Sequence, residues 1–214
     1  MRLSAYSALL LLACVTIPAP AFALIDISPK EIVVQDKPTS VRIINKGERP
    51  EYVSITLSRL LNPGVEVGSE RLEPIALASK PLLYAYPFRI TLAPGQSKTI
   101  TLKPLEKVER EQVYRLDVTP VISLKETEHR ATSGNVLINL SFSGLVRQLP
   151  EVEKSELSVT CEGSGALLTA NGNVRYPVKG VKVDGSTVEP FNVYPGEPRF
   201  LKGKSVSVPG QPSC

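Results

Sequence analysis

Residues that do chemistry are scarce in this 214-residue chain: it has one histidine, three cysteines and no tryptophan. His129 lies in the charged run KETEHRATSG and there is no Gly-x-Ser-x-Gly, so the usual nucleophilic triads have no parts to be built from. The cysteines form no C-x-x-C and have no cluster of ligands beside them, which argues against a redox or metal centre; no cofactor is expected. Charge of one sign is not concentrated either. The 25 Lys and Arg are interspersed with 21 Asp and Glu, and the net charge of +4 falls by one if Arg2 is removed. No basic stripe is left to track a nucleic acid. Beyond the N-terminal leader no apolar run approaches the length that crosses a bilayer. Helical periodicity is nearly absent, and 19 prolines argue further against long helices.

What is present begins with a leader. MRLSAYSALLLLACVTIPAPAFA has Arg2, an apolar run and small residues ending Ala21-Phe22-Ala23, the pattern of a secretory signal peptide over residues 1–23 with a mature chain from Leu24. Leu11-Leu12-Ala13-Cys14 is a loose lipobox that would instead acylate Cys14; the Ala-x-Ala site fits better. In an exported, oxidising compartment the two remaining thiols, Cys161 and Cys214, are expected to pair.

Short alternating or β-branched runs recur between turn signals, the signature of an all-β sandwich. Strands are predicted at about Ile25–Ile27, Glu31–Val34, Thr39–Asn45, Tyr52–Leu60, Leu82–Phe88, Ser97–Pro104, Gln112–Ser123 and Val136–Arg147. A break at QLPEVEKS, Gln148 to Ser155, separates an N-terminal domain (24–148) from a smaller C-terminal one (152–214), close to the size at which a domain needs a staple. The smaller domain is predicted to carry strands near Leu157–Cys161, Ala166–Ala170, Val178–Val183, Thr187–Phe191 and Lys204–Val208, with Asp184-Gly185 as a two-residue hairpin turn. A Cys161–Cys214 bridge is worth roughly 3–4 kcal/mol to it on the chain-entropy account.

The long alternating strand GNVLINLSFSGLVRQLP carries the functional signal. Val136, Ile138, Leu140 and Phe142 share one face, Asn139, Ser141 and Ser143 the other. Arg147 is out of phase with the even-numbered row unless Gly144 introduces a bulge.

The order of leader, first sandwich, LAPGQSKTITL, EQVYRLDVTPV, a charged loop from Lys125 to Gly134, NVLINLSFSGLVRQLP and a smaller second sandwich resembles periplasmic pilus-assembly chaperones of the PapD type. LNPG at 61–64, VYRLDV at 113–118, LVRQLP at 145–150 and NGNVR at 171–175 resemble the divergent branch that serves colonisation-factor fimbriae and the common pilus. The resemblance implies two immunoglobulin-like β-sandwich domains in an L-shaped arrangement. It implies a non-enzymatic periplasmic chaperone that completes fimbrial subunits by donor-strand complementation, with Val136, Ile138, Leu140 and Phe142 as donor side chains, and hands them to an outer-membrane usher. It also implies that two basic residues, Lys30 and Arg147, anchor the subunit's C-terminal carboxylate, although the lysine of better-known members aligns nearer Leu145. Glu111, Arg115 and Asp117 are candidates for a polar network at the domain junction, and Arg175 for a place in the cleft. Self-association through the exposed strand is a further expectation.

Two other classes remain open. A fimbrial structural subunit or secreted β-sandwich adhesin would have a single domain with an N-terminal donor extension. A secreted enzyme would have to rely on carboxylate pairs such as Glu70 and Glu73.

Overall fold

The chain crosses between two sheets within its first ten described residues, and that crossing sets the architecture. The computed structural model describes residues 25–121 and 141–214. The signal sequence with Cys14, the loop containing His129, and Val136, Ile138 and Leu140 lie outside the described residues. Strand β1 (Ile25–Ser28) buries Ile25 and Ile27 from one sheet, while β2 (Glu31–Val34) buries Ile32 and Val34 from the other. Alternate side chains of each strand point inward, so both sheets feed one core.

β3 (Thr39–Asn45) pairs with β1, and β4 (Glu51–Leu60) lies in the sheet of β2. Then come β5 (Leu72–Pro74), β6 (Leu83–Tyr86), β7 (Arg89–Leu92), β8 (Ser97–Pro104), β9 (Gln112–Pro120) and β10 (Phe142–Gln148). One sheet has the order β1-β3-β8-β6; the other runs β2-β10-β9-β4-β5, with β7 also on β4. The aliphatic core between them includes Ile43, Leu83, Leu92, Ile100, Leu102, Leu116 and Val146.

The strand expected over Leu82–Phe88 is in fact two: β6 pairs with β8 in one sheet and β7 with β4 in the other. Pro87 falls between them, where a residue without an N–H cannot extend a ladder. Nor does Gly144 make a bulge. The register of β10 on β9 runs without interruption from Phe142↔Val118 to Gln148↔Gln112. Gly144 is small because it packs inward: a Cβ there would stand 3.2 Å from Ile32 Cδ1 and 3.6 Å from Ile27 Cγ2. Arg147 and Leu145 therefore occupy the outer face, and Gly144, Val146 and Gln148 the inner one.

The second half has its own core, built around Leu168, Val178, Val181, Val193 and Val206. Its strands are short: β11 (Leu157–Glu162), β12 (Gly165–Ala170), β13 (Tyr176–Val178), β14 (Lys182–Val183), β15 (Ser186–Thr187), β16 (Phe191–Val193), β17 (Arg199–Lys202) and β18 (Val206–Ser207). The expected Val178–Val183 strand divides into β13 and β14 at Gly180, whose φ of +69° suits glycine and turns the chain into another sheet. Pro190 likewise separates β15 from β16. The Asp184-Gly185 hairpin forms as expected, with φ of 49° and 83° at the two turn residues and Val183 opposite Ser186.

Cys161 and Cys214 are disulfide-bonded across 53 residues of sequence. Cys214 also exchanges backbone hydrogen bonds with Val206, donating to its carbonyl at 2.8 Å and accepting from its N–H at 3.3 Å. Replacing Cys214 with serine should lower the unfolding free energy of the second half by roughly 3–4 kcal/mol, read from urea titration with and without reductant. Equal stability of the oxidised, reduced and substituted forms would contradict the bridge as a staple.

Candidate functional site

The outer face of β9 and β10 is apolar where the two halves meet. Val113 on β9 and Leu145 on β10 alternate outward and, with Leu60 of β4, pack against Tyr194 of the second half. The loop after β4 closes on the same place. Gly64 has φ +96°, and a Cβ there would come within 3.3 Å of both the Asn192 carbonyl and the Tyr194 ring. These contacts form the floor of a charged cluster.

Glu111, immediately before β9, is the enclosed member of that cluster; its side chain is 0% exposed. Its Oε1 accepts from Arg147 Nε at 2.5 Å, its Oε2 from the Arg175 backbone N–H at 2.6 Å, and its own N–H donates to the Asn173 carbonyl at 2.8 Å. A buried carboxylate requires this degree of compensation. Arg147, 12% exposed, also reaches Glu31 Oε1 through Nη1 at 3.4 Å. Arg175, 16% exposed, donates from Nη2 to the same oxygen at 2.7 Å, and from Nη1 to the Tyr194 hydroxyl at 3.4 Å. Burial alone would lower the Arg147 pKa; the hydrogen bond and charge of Glu111, with the charge of Glu31, outweigh it and hold the guanidinium above its ordinary value.

The end of β10 is held from beneath. Gln148 is buried, accepts from the Tyr114 hydroxyl at 2.9 Å and donates to the Glu106 and Leu82 carbonyls at 3.0 and 3.3 Å. Desolvation pushes the Tyr114 phenol upward, so it stays a donor. Arg115, two residues after Val113 on the outer face, is held on both nitrogens of one edge by Glu70, with Nε to Oε2 at 2.9 Å. That pair lies within the first half, and Asp117 acts on Arg115 through its charge. Glu70 thus serves a structural ion pair rather than a carboxylate couple with Glu73.

Lys30 belongs to a different cluster. Its ammonium, on a side chain 67% exposed, is 2.6 Å from Asp26 Oδ1 and 6.0 Å from the centroid of the Phe142 ring. Lys46 holds the other Asp26 oxygen at 2.6 Å. Hydrogen bonds from Lys30 and then Lys46 hold the Asp26 carboxyl at about 2, well below its usual range. Lys30 and Arg147 share no partner among the described residues. Phe142, the one expected donor residue that is described, packs partly against the first core.

Beside Lys30 the sheet has an open edge. The parallel ladder of β10 with β2 begins at Leu145↔Glu31, where the Leu145 N–H donates to the Lys30 carbonyl at 2.9 Å. Phe142 to Gly144 are paired on the β9 side only, among the described residues. No group of three or more metal-ligating side chains occurs among those residues.

No protein-family model matches the chain. It is 27% identical over 143 residues to a CS1 fimbrial protein of Escherichia coli, covering 65% of this chain and 59% of that protein. It is 25% identical over 145 residues to a CFA/I fimbrial protein of Escherichia coli, covering 66% of this chain and 60% of that one. The chain therefore spans about six-tenths of the length of these curated relatives. Among solved structures, a chain from a chaperone–tip adhesin complex of CFA/I fimbriae biogenesis matches with a TM-score of 0.68 at 23% identity, over 87% of this chain and 90% of that chain. The class 5 fimbriae chaperone CfaA matches with a TM-score of 0.68 at 21% identity, over 86% and 91%. A chain from the complex of Salmonella enterica SafA pilin with the SafB chaperone matches with a TM-score of 0.57 at 13% identity, over 89% and 90%. The fold is that of the two-domain β-sandwich chaperones, through both halves.

Two substitutions test the geometry. Glu111→Ala should cost about 3 kcal/mol in chemical denaturation, because it leaves Arg147 buried with only the distant Glu31 for charge. Asp26, with its folded pKa depressed, stabilises the native state above its ordinary value of 3.8, and that contribution is lost as pH falls through about 2. Asp26→Asn should therefore flatten the loss of stability between those pH values, measured by denaturant midpoints across the acid limb.

Proposed function

We propose that this chain is a periplasmic chaperone that binds fimbrial subunits, lends each a strand to complete its fold, and delivers it to an outer-membrane usher. The observation that carries the reading is the open edge of β10 at Phe142–Gly144, within a fold that matches fimbrial chaperones over both halves. A subunit lacking a strand exposes unpaired backbone and apolar core, a template for aggregation. A donated strand supplies the backbone partners, and alternate side chains fill the groove.

Val136, Ile138 and Leu140, with Phe142 at the end of the row, are the inserted side chains. Each large apolar side chain removed from water contributes about 1.5–3 kcal/mol before ordering costs. Lys30 and Arg147 are the basic anchors that fix register, since strand pairing alone allows a slip of two residues without changing which side chains face the groove. The activity is not enzymatic and uses no cofactor; binding energy alone does the work. A fimbrial structural subunit or secreted adhesin is less well supported, because both sandwiches share the chaperone architecture.

Co-expression with a fimbrial subunit encoded beside the gene should yield a one-to-one complex in periplasmic extracts. Ile138→Asp should abolish that complex, and Lys30→Ala and Arg147→Ala should each weaken it by about tenfold or more, the usual worth of a charge-assisted hydrogen bond. A subunit that is stable without this protein, or a complex indifferent to Ile138→Asp, would overturn the proposal.

A further inference from the structure

Two guanidiniums from different halves of the chain converge on a single oxygen of Glu31, a carboxylate that is 45% exposed. The two acidic residues of the cluster have different standing. Glu111 is enclosed, with both oxygens bonded, one of them to a backbone N–H, so it is part of the frame. Glu31 is the first residue of β2, with its backbone held in the ladder by β10 and its side chain reaching the arginines from the solvent side. Rotation about its side-chain torsions would release it without breaking a strand pair.

We propose that Arg147 and Arg175 together form a carboxylate-receiving cradle, and that Glu31 is its resident occupant in the free chain, displaced when the subunit's carboxylate arrives. The inference rests on the chaperone reading and adds to it an anchor from the second domain and an internal competitor. With Glu31 in place the four charges cancel; with it gone, two arginines and Glu111 leave one positive charge, which a single carboxylate neutralises. Planar guanidiniums suit that ligand because each can present parallel N–H groups to its two oxygens. Arg147 converges with Arg175, whereas Lys30 is engaged with Asp26. Glu31 follows Lys30 directly, so a chain end that reaches Lys30 arrives beside the occupant it must replace. The affinity of the incoming group is reduced by the fraction of molecules in which Glu31 fills the cradle. Because Arg175 lies beyond the domain break, the two halves must act together to hold the carboxylate.

The test uses purified one-to-one complexes challenged with excess tagged wild-type protein, following release of a fimbrial subunit with its natural C-terminus. The same subunit extended by two glycines moves its carboxylate away from the cradle. Glu31→Gln removes the competing charge while keeping the shape, and should prolong retention of the natural subunit several-fold but not of the extended one. Arg175→Ala should release the natural subunit about tenfold faster, again with little effect on the extended one, and Arg175→Lys should be intermediate. Misfolding cannot imitate the Glu31→Gln result, which is a gain, and Arg175→Ala preserves the backbone bond to Glu111. Unchanged or faster release from Glu31→Gln, or equal effects of Arg175→Ala on both subunits, would overturn the cradle while leaving the chaperone reading intact. Failure of the wild-type chain to form any complex would overturn both.

Discussion

The enclosed carboxylate of Glu111 is the constraint on which the junction between the two halves depends. Without water around it, the group has to be neutralised and hydrogen-bonded where it lies. Arg147 brings the charge from β10, the Arg175 amide brings a second donor from the other half, and the Glu111 amide reaches the Asn173 carbonyl. One residue thus couples the start of β9, the end of β10 and the segment after β12. The orientation of Arg147 follows: with Nε committed to Glu111, its remaining nitrogens face Glu31 and the opening between the halves.

The second ionic group works under other conditions. Asp26 lies between two lysines whose side chains are open to solvent, so their attraction is weakened by salt in a way that the Glu111 contacts are not. Lys30 stays available at the rim of the sheet, near Phe142, whereas the arginines are held with little freedom. The molecule therefore presents one adaptable cation beside its open edge and a rigid pair deeper in the cleft.

Much of the first domain was legible because its sheets are half-buried and their alternation is long enough to read. Seven-residue β3 and ten-residue β4 bury every second residue over most of their length. Legibility failed where a proline or a positive φ redirected the chain, at Pro87, Gly180 and Pro190, and where strands of two or three residues are too short to alternate, as in β14 and β18. β17 went unrecognised because Leu201 is its one buried side chain. At the site, Glu111, Arg147 and Arg175 could be picked out as charges near the domain break. Their pairing could not, since Arg147 meets Glu111 across 36 residues of sequence and Arg175 meets Glu31 across 144. Gln148 carried no signal at all. Its burial depends on Tyr114, which lies 34 residues away and belongs to the neighbouring strand.

Strand β10 is an interior member of its sheet at one end and a border at the other, because β2 takes up its flank only from Leu145 onward. A guest laid against the vacant flank would lie in line with β2, as a second plank butted against the first. Its travel would end at the corner formed by Pro29 and Lys30, so the host's own backbone would measure how far a guest can advance before any side chain is consulted.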